Sequence, residues 1–190
     1  WIDEPPPIPL KSMDESGHVL YIGSVSKTLS PGLRIGWIVG PEPVIDRLAD
    51  LKMQTDYGSS SLSQVTVAKW LETGLYHDHL KLLRRQLYLR RKVTVDALEK
   101  YFSDIATWSI PSGGYYIWLS MRYPINMHKI FDKACQIGIL MYPGYIYDSN
   151  PNPNLRISYS YASIDDLEKG LYELSKLIKN LIIRFKEDRP

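Results

Sequence analysis

One stretch decides the fold: GSVSKTLSPGLRIGW at residues 23–37. An apolar run at residues 18–23 leads into it, and a second apolar run at residues 33–39 closes it before Gly40 and Pro41. Short apolar runs that end at glycine or proline are typical of buried strands. The sequence therefore predicts two buried strands joined by a polar loop, and loops at strand ends commonly carry binding sites.

The polar loop contains Lys27, and four interpretations of this lysine compete. A plain solvated turn is the simplest, because lysine and serine are common in turns. A P-loop is excluded, since that motif needs a glycine directly before the lysine and Ser26 stands there. A Ser-x-x-Lys acyl-transfer site is formally present from Ser24 to Lys27. That site needs a helix, which Pro31 would end almost at once, and a Lys-Thr-Gly strand, which the sequence lacks.

The fourth interpretation is a lysine that forms a Schiff base with pyridoxal phosphate. Ser24 and Ser26 offer hydroxyl groups to a phosphate, and Arg34 offers a planar, positively charged guanidinium that can donate parallel hydrogen bonds to the phosphate oxygens. Gly32 and Gly36 would let the backbone pass close to a ligand. Because these residue types share one short loop, the stretch favours a cofactor site.

The same stretch resembles the lysine-loop signature of class I and II aminotransferases, the fold-type I pyridoxal phosphate enzymes. The shared pattern is Ser-x-Ser-Lys-Thr-x-x-Pro-Gly-x-Arg-x-Gly-Trp. The resemblance implies that Lys27 is the catalytic lysine and binds pyridoxal 5'-phosphate covalently. It also implies that Ser24 and Arg34 bind the cofactor phosphate, with Ser26 as a further candidate.

Two more stretches agree with this resemblance. PSGGYYIW at residues 111–118 is similar to the Pro-x-Gly-Gly-x-aromatic segment that opens the small lobe of the family. NLRISYS at residues 154–160 is similar to the strand whose arginine holds the substrate carboxylate, which implies this role for Arg156. A structural salt bridge is the alternative for Arg156. Tyr145 and Tyr147 are candidates to line the substrate site, with simple packing as their alternative.

The resemblance implies an α/β fold, namely the C-terminal portion of the PLP-dependent transferase fold type I. Residues 1–75 would form the end of the large PLP-binding domain, residues 76–102 a long connecting helix and residues 103–190 the small α+β C-terminal domain. Apolar periodicity predicts helices at 43–53, 61–72, 78–102, 126–137 and 163–185 and later strands at 105–110, 115–121, 139–142 and 155–161. Ser61 with Gln64 and Ser163 with Asp166 are predicted capping pairs.

Composition excludes several classes of protein. Of the 190 residues 44% are hydrophobic, and 23 basic against 21 acidic side chains leave a net charge of +2. This balance does not point to a nucleic acid or an acidic partner. The single cysteine, Cys135, excludes an intramolecular disulfide and a cysteine-based zinc site and fits a reducing cytoplasm. No apolar run approaches the roughly 20 residues that span a bilayer, so no membrane partner is expected.

Some side chains are predicted to have no chemical role. His77, His79 and His128 lack the partners of a metal site, so no metal is expected and they are predicted to be surface or helix-face residues. Cys135 follows an apolar helical pattern and is predicted to be buried. The basic residues on the long helix are predicted to form a solvated stripe, with DNA contact as the alternative: Arg84, Arg85, Arg90, Arg91 and Lys92.

The run PPPIPLKSMDESGHVLYIGS at residues 5–24 resembles MocR-type regulators of the GntR family. These proteins join an N-terminal winged helix-turn-helix to an aminotransferase-like domain that senses a ligand. The same run occurs in aminotransferases for aminoadipate-like or aromatic substrates. We therefore expect the effector-sensing domain of such a regulator, with a class I or II aminotransferase as the alternative.

The partners follow from the same resemblance. They are a small amino acid or amine ligand, a second copy in a homodimer, and DNA only through an N-terminal domain outside this chain. The family's pyridine-binding aspartate, stacking aromatic residue and phosphate-binding helix have no counterpart here. We therefore expect weak cofactor binding by the chain alone, and exposed apolar surface unless another part of the protein or a partner covers it.

Overall fold

The computed structural model describes residues 1–3, 5–148 and 152–187. Its described residues form a mixed α/β structure that divides into two compact units. Residues 5–84 form the first unit, and residues 1–3 join the described residues after Arg84 in the second unit. The division falls inside one long helix, α3 (Leu75–Phe102). The predicted domain boundaries at 75 and 102 stay a prediction.

The first unit contains a two-stranded antiparallel sheet of β1 (Tyr21–Ser24) and β2 (Gly36–Val39). Both predicted strands therefore form, but their predicted burial is wrong. Five large apolar side chains on them are exposed: Tyr21, Ile22, Trp37, Ile38 and Val39. An apolar run shows what a strand is able to bury, whereas the covering layer has to come from elsewhere in the structure.

Two helices follow in the first unit, α1 (Glu42–Thr55) and α2 (Ser61–Glu72). The cap of α2 lies one residue earlier than predicted. Ser60 is the N-cap and its hydroxyl accepts from the Ser63 amide at 3.4 Å. Ser61 is the first helical residue, so its own side chain is not the cap.

The second unit is built on a four-stranded antiparallel sheet with the order β3-β4-β6-β5. Its strands are β3 (Ala106–Trp108), β4 (Tyr116–Met121), β5 (Tyr142–Pro143) and β6 (Asn154–Ser158). Its further helices are α4 (Met127–Gln136) and α5 (Ile164–Glu187). This arrangement confirms the α+β character that the resemblance implied for the small lobe.

The two faces of this sheet differ because side chains alternate along each strand. The core face carries buried Ile117, Leu119, Leu155 and Ile157, which join a core with Leu98, Phe102, Leu171, Leu174 and Ile178 from α3 and α5. Each such burial stabilises the fold by roughly 1.5–3 kcal/mol. The open face carries Tyr116, Trp118 and Arg156. The sheet thus presents an arginine and aromatic rings on the side away from the core.

Two predictions in the second unit are wrong: the burial of Cys135 and the extension of the last strand to residue 161. Cys135 is exposed, because the buried stripe of α4 is Met127, Ile130 and Ala134 and the next residue points about 100° away from it. Tyr161 is also exposed, since β6 ends at Ser158 and the alternation stops there. The predicted capping pair at the start of α5 is confirmed, with Ser163 and Asp166 bonded in both directions.

The prediction that the basic residues of the long helix are solvated is wrong for Arg91, which is only 7% exposed. Its guanidinium donates to both carboxylate oxygens of Asp3 at 2.6 and 2.7 Å and to the Pro111 carbonyl at 2.6 Å. The Ile2 and Asp3 amides donate to the Ser112 carbonyl. These bonds fasten residues 1–3 to the loop that precedes β4.

Within the described ranges, no helix is both long enough and apolar enough to cross a bilayer. In the same residues, no three histidine, cysteine, aspartate or glutamate side chains gather as metal ligands would.

Candidate functional site

The lysine loop joins β1 to β2 and makes a tight turn around Lys27. Val25, at its start, is 1% exposed, and its carbonyl accepts from the amides of Leu29 and Ser30 at 2.8 and 3.2 Å. The Lys27 side chain is exposed while its neighbour Thr28 is half-buried. The turn is therefore fixed to the interior at Val25, while Lys27 lies at the surface.

Two predicted hydroxyl groups come together at the start of this loop. The Ser24 hydroxyl lies 3.0 Å from that of Ser26 and donates to the Ile35 carbonyl at 3.2 Å. The Ser26 amide donates to the Ser24 hydroxyl oxygen at 3.1 Å. These bonds use the Ser26 amide and the Ser24 hydroxyl hydrogen within the loop, so Ser24 donates to an anion only when it exchanges one of them.

Arg34 has an unusual backbone at the end of the loop. Its φ of 55° and ψ of 36° lie in the left-handed region, which costs a residue with a Cβ roughly 1–2 kcal/mol. Its side chain is exposed and donates to the Pro31 carbonyl at 3.3 Å. Strained residues of this kind concentrate at functional sites. The guanidinium can therefore turn to an anion at the cost of one long hydrogen bond.

Thr28 is held by two residues that the sequence did not single out as site residues. The Tyr76 hydroxyl lies 2.8 Å from Thr28 Oγ1, and His79 Nε2 lies 2.9 Å from the Thr28 carbonyl oxygen. Trp70 meets the His79 ring edge-on. His79 lies on α3 and is half-buried, which agrees with the predicted surface or helix-face position, but its contact with the loop was not predicted. Its separation of 51 residues from Thr28 gave no sequence signal.

Arg156 lies on the open face of the second unit's sheet among three tyrosine rings. Its guanidinium carbon is 3.9 Å from the ring centre of Tyr116, 4.5 Å from that of Tyr142 and 5.2 Å from that of Tyr147. We call these three residues the tyrosine frame. Arg156 Nε is buried and has no hydrogen-bond partner among the described residues. An unsatisfied charged donor is costly, so this group is suited to bind a carboxylate.

Tyr145 does not join the tyrosine frame. Its ring stacks on His128 with 3.9 Å between ring centres and 17° between planes. Tyr147, the other candidate from the same loop, does belong to the frame. Tyr116 and Tyr142 were missed, because only the strand register places Tyr142 opposite Arg156 and Tyr116 next to it.

The candidate residues fall into two groups, one in each unit. Lys27, Ser24, Ser26 and Arg34 are in the first unit. Arg156 and Tyr145 are in the second unit. The roles predicted for all six residues stay predictions.

A model of the family described as "Aminotransferase class I and II" matches residues 4–174. The chain belongs to the class I and II aminotransferase family. A solved family structure, kynurenine aminotransferase from Pyrococcus horikoshii in complex with PMP, superposes with a TM-score of 0.85 at 29% identity. That match covers 90% of this chain and 43% of the enzyme chain. The predicted α/β fold of the aminotransferase family is thus confirmed.

Relatives with higher identity carry a different kind of name. The uncharacterized HTH-type transcriptional regulator YdfD of Bacillus subtilis is 55% identical over 97% of this chain. The HTH-type transcriptional regulator NorG of Staphylococcus aureus is 39% identical over 95% of it. The chain spans 38% of YdfD and 41% of NorG, so it corresponds to about two fifths of these regulators.

Proposed function

We propose that the chain is part of the effector-sensing, aminotransferase-like domain of a MocR-type transcriptional regulator of the GntR family. The observation that carries this proposal is the 55% identity with an HTH-type regulator across nearly the whole chain. Because the chain spans only 38% of that relative, we place the DNA-binding segment outside residues 1–190. Such a regulator works in the cytoplasm.

The proposed cofactor is pyridoxal 5'-phosphate, and the side chains of the lysine loop fit its chemistry. A phosphate needs hydrogen-bond donors and positive charge. The hydroxyl groups of Ser24 and Ser26 would supply the donors after Ser24 exchanges its bonds within the loop, and the exposed Arg34 would supply the charge. A covalent link needs a primary amine that the cofactor aldehyde can reach, and the Lys27 side chain is exposed. The strained backbone at Arg34 supports a functional role for this residue.

When bound, pyridoxal phosphate supplies an aldehyde that condenses with amines and a ring that withdraws electrons from neighbouring bonds. Lys27 would hold the cofactor through Nζ. The same Lys27 nitrogen would accept and return a proton whenever it is not bonded to the cofactor. The phosphate ligands Ser24 and Arg34 would keep the cofactor in place while Lys27 is released.

Arg156 gives the second unit a proposed carboxylate site. The tyrosine frame covers the guanidinium plane through cation–π contacts, which leaves the N–H edge for a planar acceptor. A carboxylate accepts two parallel bonds from this edge. The unpartnered Nε supports the same interpretation. The ligand class that we propose is a small amino acid or a carboxylated amine.

The regulatory output would follow from a shift between conformations of the whole protein. A ligand changes such an equilibrium only by its difference in affinity for the two states. The exposed apolar residues of β1 and β2 support a larger assembly, which we propose to be a homodimer of the longer protein. Binding of the effector would then change the affinity of that dimer for DNA.

A class I or II aminotransferase is the second candidate. It is favoured by the similarity to kynurenine aminotransferase, at 29% identity with a TM-score of 0.85. In this case the same residues would support turnover rather than sensing.

The test uses the intact protein with Lys27→Ala and the matched control Lys52→Ala, an exposed lysine of α1 that pairs with Asp56. We expect a cofactor absorbance band in the native and control proteins and none in Lys27→Ala. We also expect DNA affinity to change when the cofactor or an amino acid from a panel is added. Robust transamination across that panel without DNA binding would favour the enzyme. A full band in Lys27→Ala would contradict the cofactor site.

A further inference from the structure

We infer that Tyr76 and His79 are positioning residues for Lys27. They hold Thr28, the next residue along the chain, and thereby fix the backbone from which the lysine side chain extends. The inference rests on the proposed function, because it takes Lys27 as the cofactor lysine. We call the contact of Tyr76 and His79 with Thr28 the threonine clamp.

The threonine clamp acts on both the side chain and the main chain of Thr28. Tyr76 bonds the hydroxyl at 2.8 Å, while His79 Nε2 bonds the carbonyl oxygen at 2.9 Å. A carbonyl oxygen only accepts, so Nε2 of His79 carries the proton in this contact. Together the two bonds restrict the rotamer of Thr28 and the orientation of its peptide group.

Helical structure holds the clamp residues themselves. Tyr76 and His79 are three residues apart near the start of α3, so they project from one face of the helix. The Trp70 ring on α2 packs edge-on against His79, with 5.8 Å between ring centres. Both clamp residues are half-buried. Groups supported in this way hold a site more firmly than a free loop does.

Lys27 therefore lies between two fixed points. On one side, buried Val25 accepts two amide bonds from the turn. On the other side, the clamp fixes Thr28. The lysine side chain is a four-carbon stem that ends in the amine. Since the stem begins at the Lys27 backbone, the position of that backbone limits where the amine can lie. A displacement of about 1 Å at a reacting group can cost on the order of 100-fold in rate.

The variants separate the hydrogen bonds from general packing. Tyr76→Phe removes only the hydroxyl group, and His79→Leu removes the ring donor. His79→Gln offers an amide donor at a similar reach and should restore the native behaviour. His77→Leu is the matched control, because His77 is an exposed histidine near the start of the same helix.

Two measurements on the intact protein test the clamp. The first is hydrogen exchange of the Leu29 and Ser30 amides without cofactor, which reports the turn alone. The second is the rate at which added pyridoxal phosphate attaches to Lys27, followed by absorbance. We expect Tyr76→Phe with His79→Leu to speed exchange and slow attachment, each about tenfold. His79→Gln and His77→Leu should stay within about twofold of native.

The outcomes separate this inference from the proposed function. Native exchange and native attachment in the double variant would overturn the clamp. Faster exchange with unchanged attachment would show that the clamp does not position the lysine. Attachment that persists in Lys27→Ala would instead overturn the proposed cofactor site. If the double variant does not fold, single Tyr76→Phe gives the same test through one hydroxyl group.

Discussion

At the scale of single residues, the two candidate groups are held by different forces. Hydrogen bonds hold the lysine loop, at Ser24 and Ser26 on one side and at Thr28 on the other. Aromatic rings surround Arg156 instead, with the centre of the Tyr116 ring 3.9 Å from its guanidinium carbon. The loop therefore depends on particular donors, whereas the arginine depends on rings of the right size.

Arg34 tests whether backbone strain is retained for function. Both Arg34→Ala and Arg34→Gly should weaken binding of pyridoxal phosphate, because both remove the guanidinium. Only glycine adopts the left-handed backbone without strain. The free energy of unfolding of Arg34→Gly should therefore be about 1 kcal/mol higher than that of Arg34→Ala. Denaturant titration of the two variants checks this order. Equal stabilities would show that the backbone at Arg34 is not strained.

Tyr116 tests the tyrosine frame. Tyr116→Leu removes the ring over Arg156 and should weaken binding of a carboxylate ligand about 2- to 5-fold, since an exposed cation–π contact contributes roughly 0.5–1 kcal/mol. Tyr116→Phe keeps the ring and should bind within about twofold of native. The probes for calorimetry are the amino acid that binds most tightly in the panel and its amide. The amide should bind weakly to every variant. An equal loss of carboxylate affinity in Tyr116→Phe and Tyr116→Leu would contradict the role of the tyrosine frame.

At the scale of elements, residues 1–3 depend on the ion pair of Asp3 with Arg91. Hydrogen bonds from Arg91, together with its charge, lower the pKa of the Asp3 carboxyl. The same pair raises the pKa of Arg91. Because the pKa of Asp3 is lower in the folded state, its contribution to stability is present above the unfolded value of about 3.9. That contribution is lost as the pH falls below this value through the folded pKa.

We therefore expect Asp3→Asn to be less stable than the native protein at neutral pH. The difference in the free energy of unfolding should shrink as the pH is lowered from about 5 towards 2. Denaturant titrations over this range measure it. Asp132→Asn, at an exposed aspartate of α4, is the control and should track the native protein. A difference that does not depend on pH would contradict the ion pair.

The start of α5 tests the capping pair. Ser163→Ala removes the hydroxyl that accepts from the Asp166 amide at 3.1 Å, so the free energy of unfolding should fall by about 1 kcal/mol. Asp165→Ala changes another acidic residue of the same turn, and should cost only about 0.3 kcal/mol through the helix dipole. Thermal unfolding compares the two. A larger loss in Asp165→Ala would show that the Ser163 cap is not the stabilising contact.

Periodicity predicted the five α-helices that the described residues form, because a sustained apolar stripe and a capping residue are local features. The bounds of α2 and α4 shifted by no more than one residue, and the α2 cap moved from Ser61 to Ser60. The strand register could not be predicted, because no local sequence feature indicates that Arg156 lies opposite Tyr142 on β5. The loop signature is local, so the sequence alone was enough to propose Lys27 as the cofactor lysine. The bonds from α3 to Thr28 join residues far apart in the sequence, so they could not be foreseen.

At the scale of the whole molecule, burial was the least predictable property. The apolar strands β1 and β2 are exposed in this chain, with Ile22 73% exposed. Apolar composition follows from the sequence, whereas burial also depends on whether another layer covers the strand. The chain spans about two fifths of its regulator relatives, and in the proposed longer protein other parts would cover these apolar faces.

The most direct test of the account is to find the lysine that bonds the cofactor. The intact protein is incubated with pyridoxal phosphate, reduced with borohydride and digested, and the modified peptide is identified by mass spectrometry. The account predicts a phosphopyridoxyl group on Lys27 in the peptide that contains Ser24 and Ser26. A group found mainly on another lysine, or spread evenly over the exposed lysines, would contradict it.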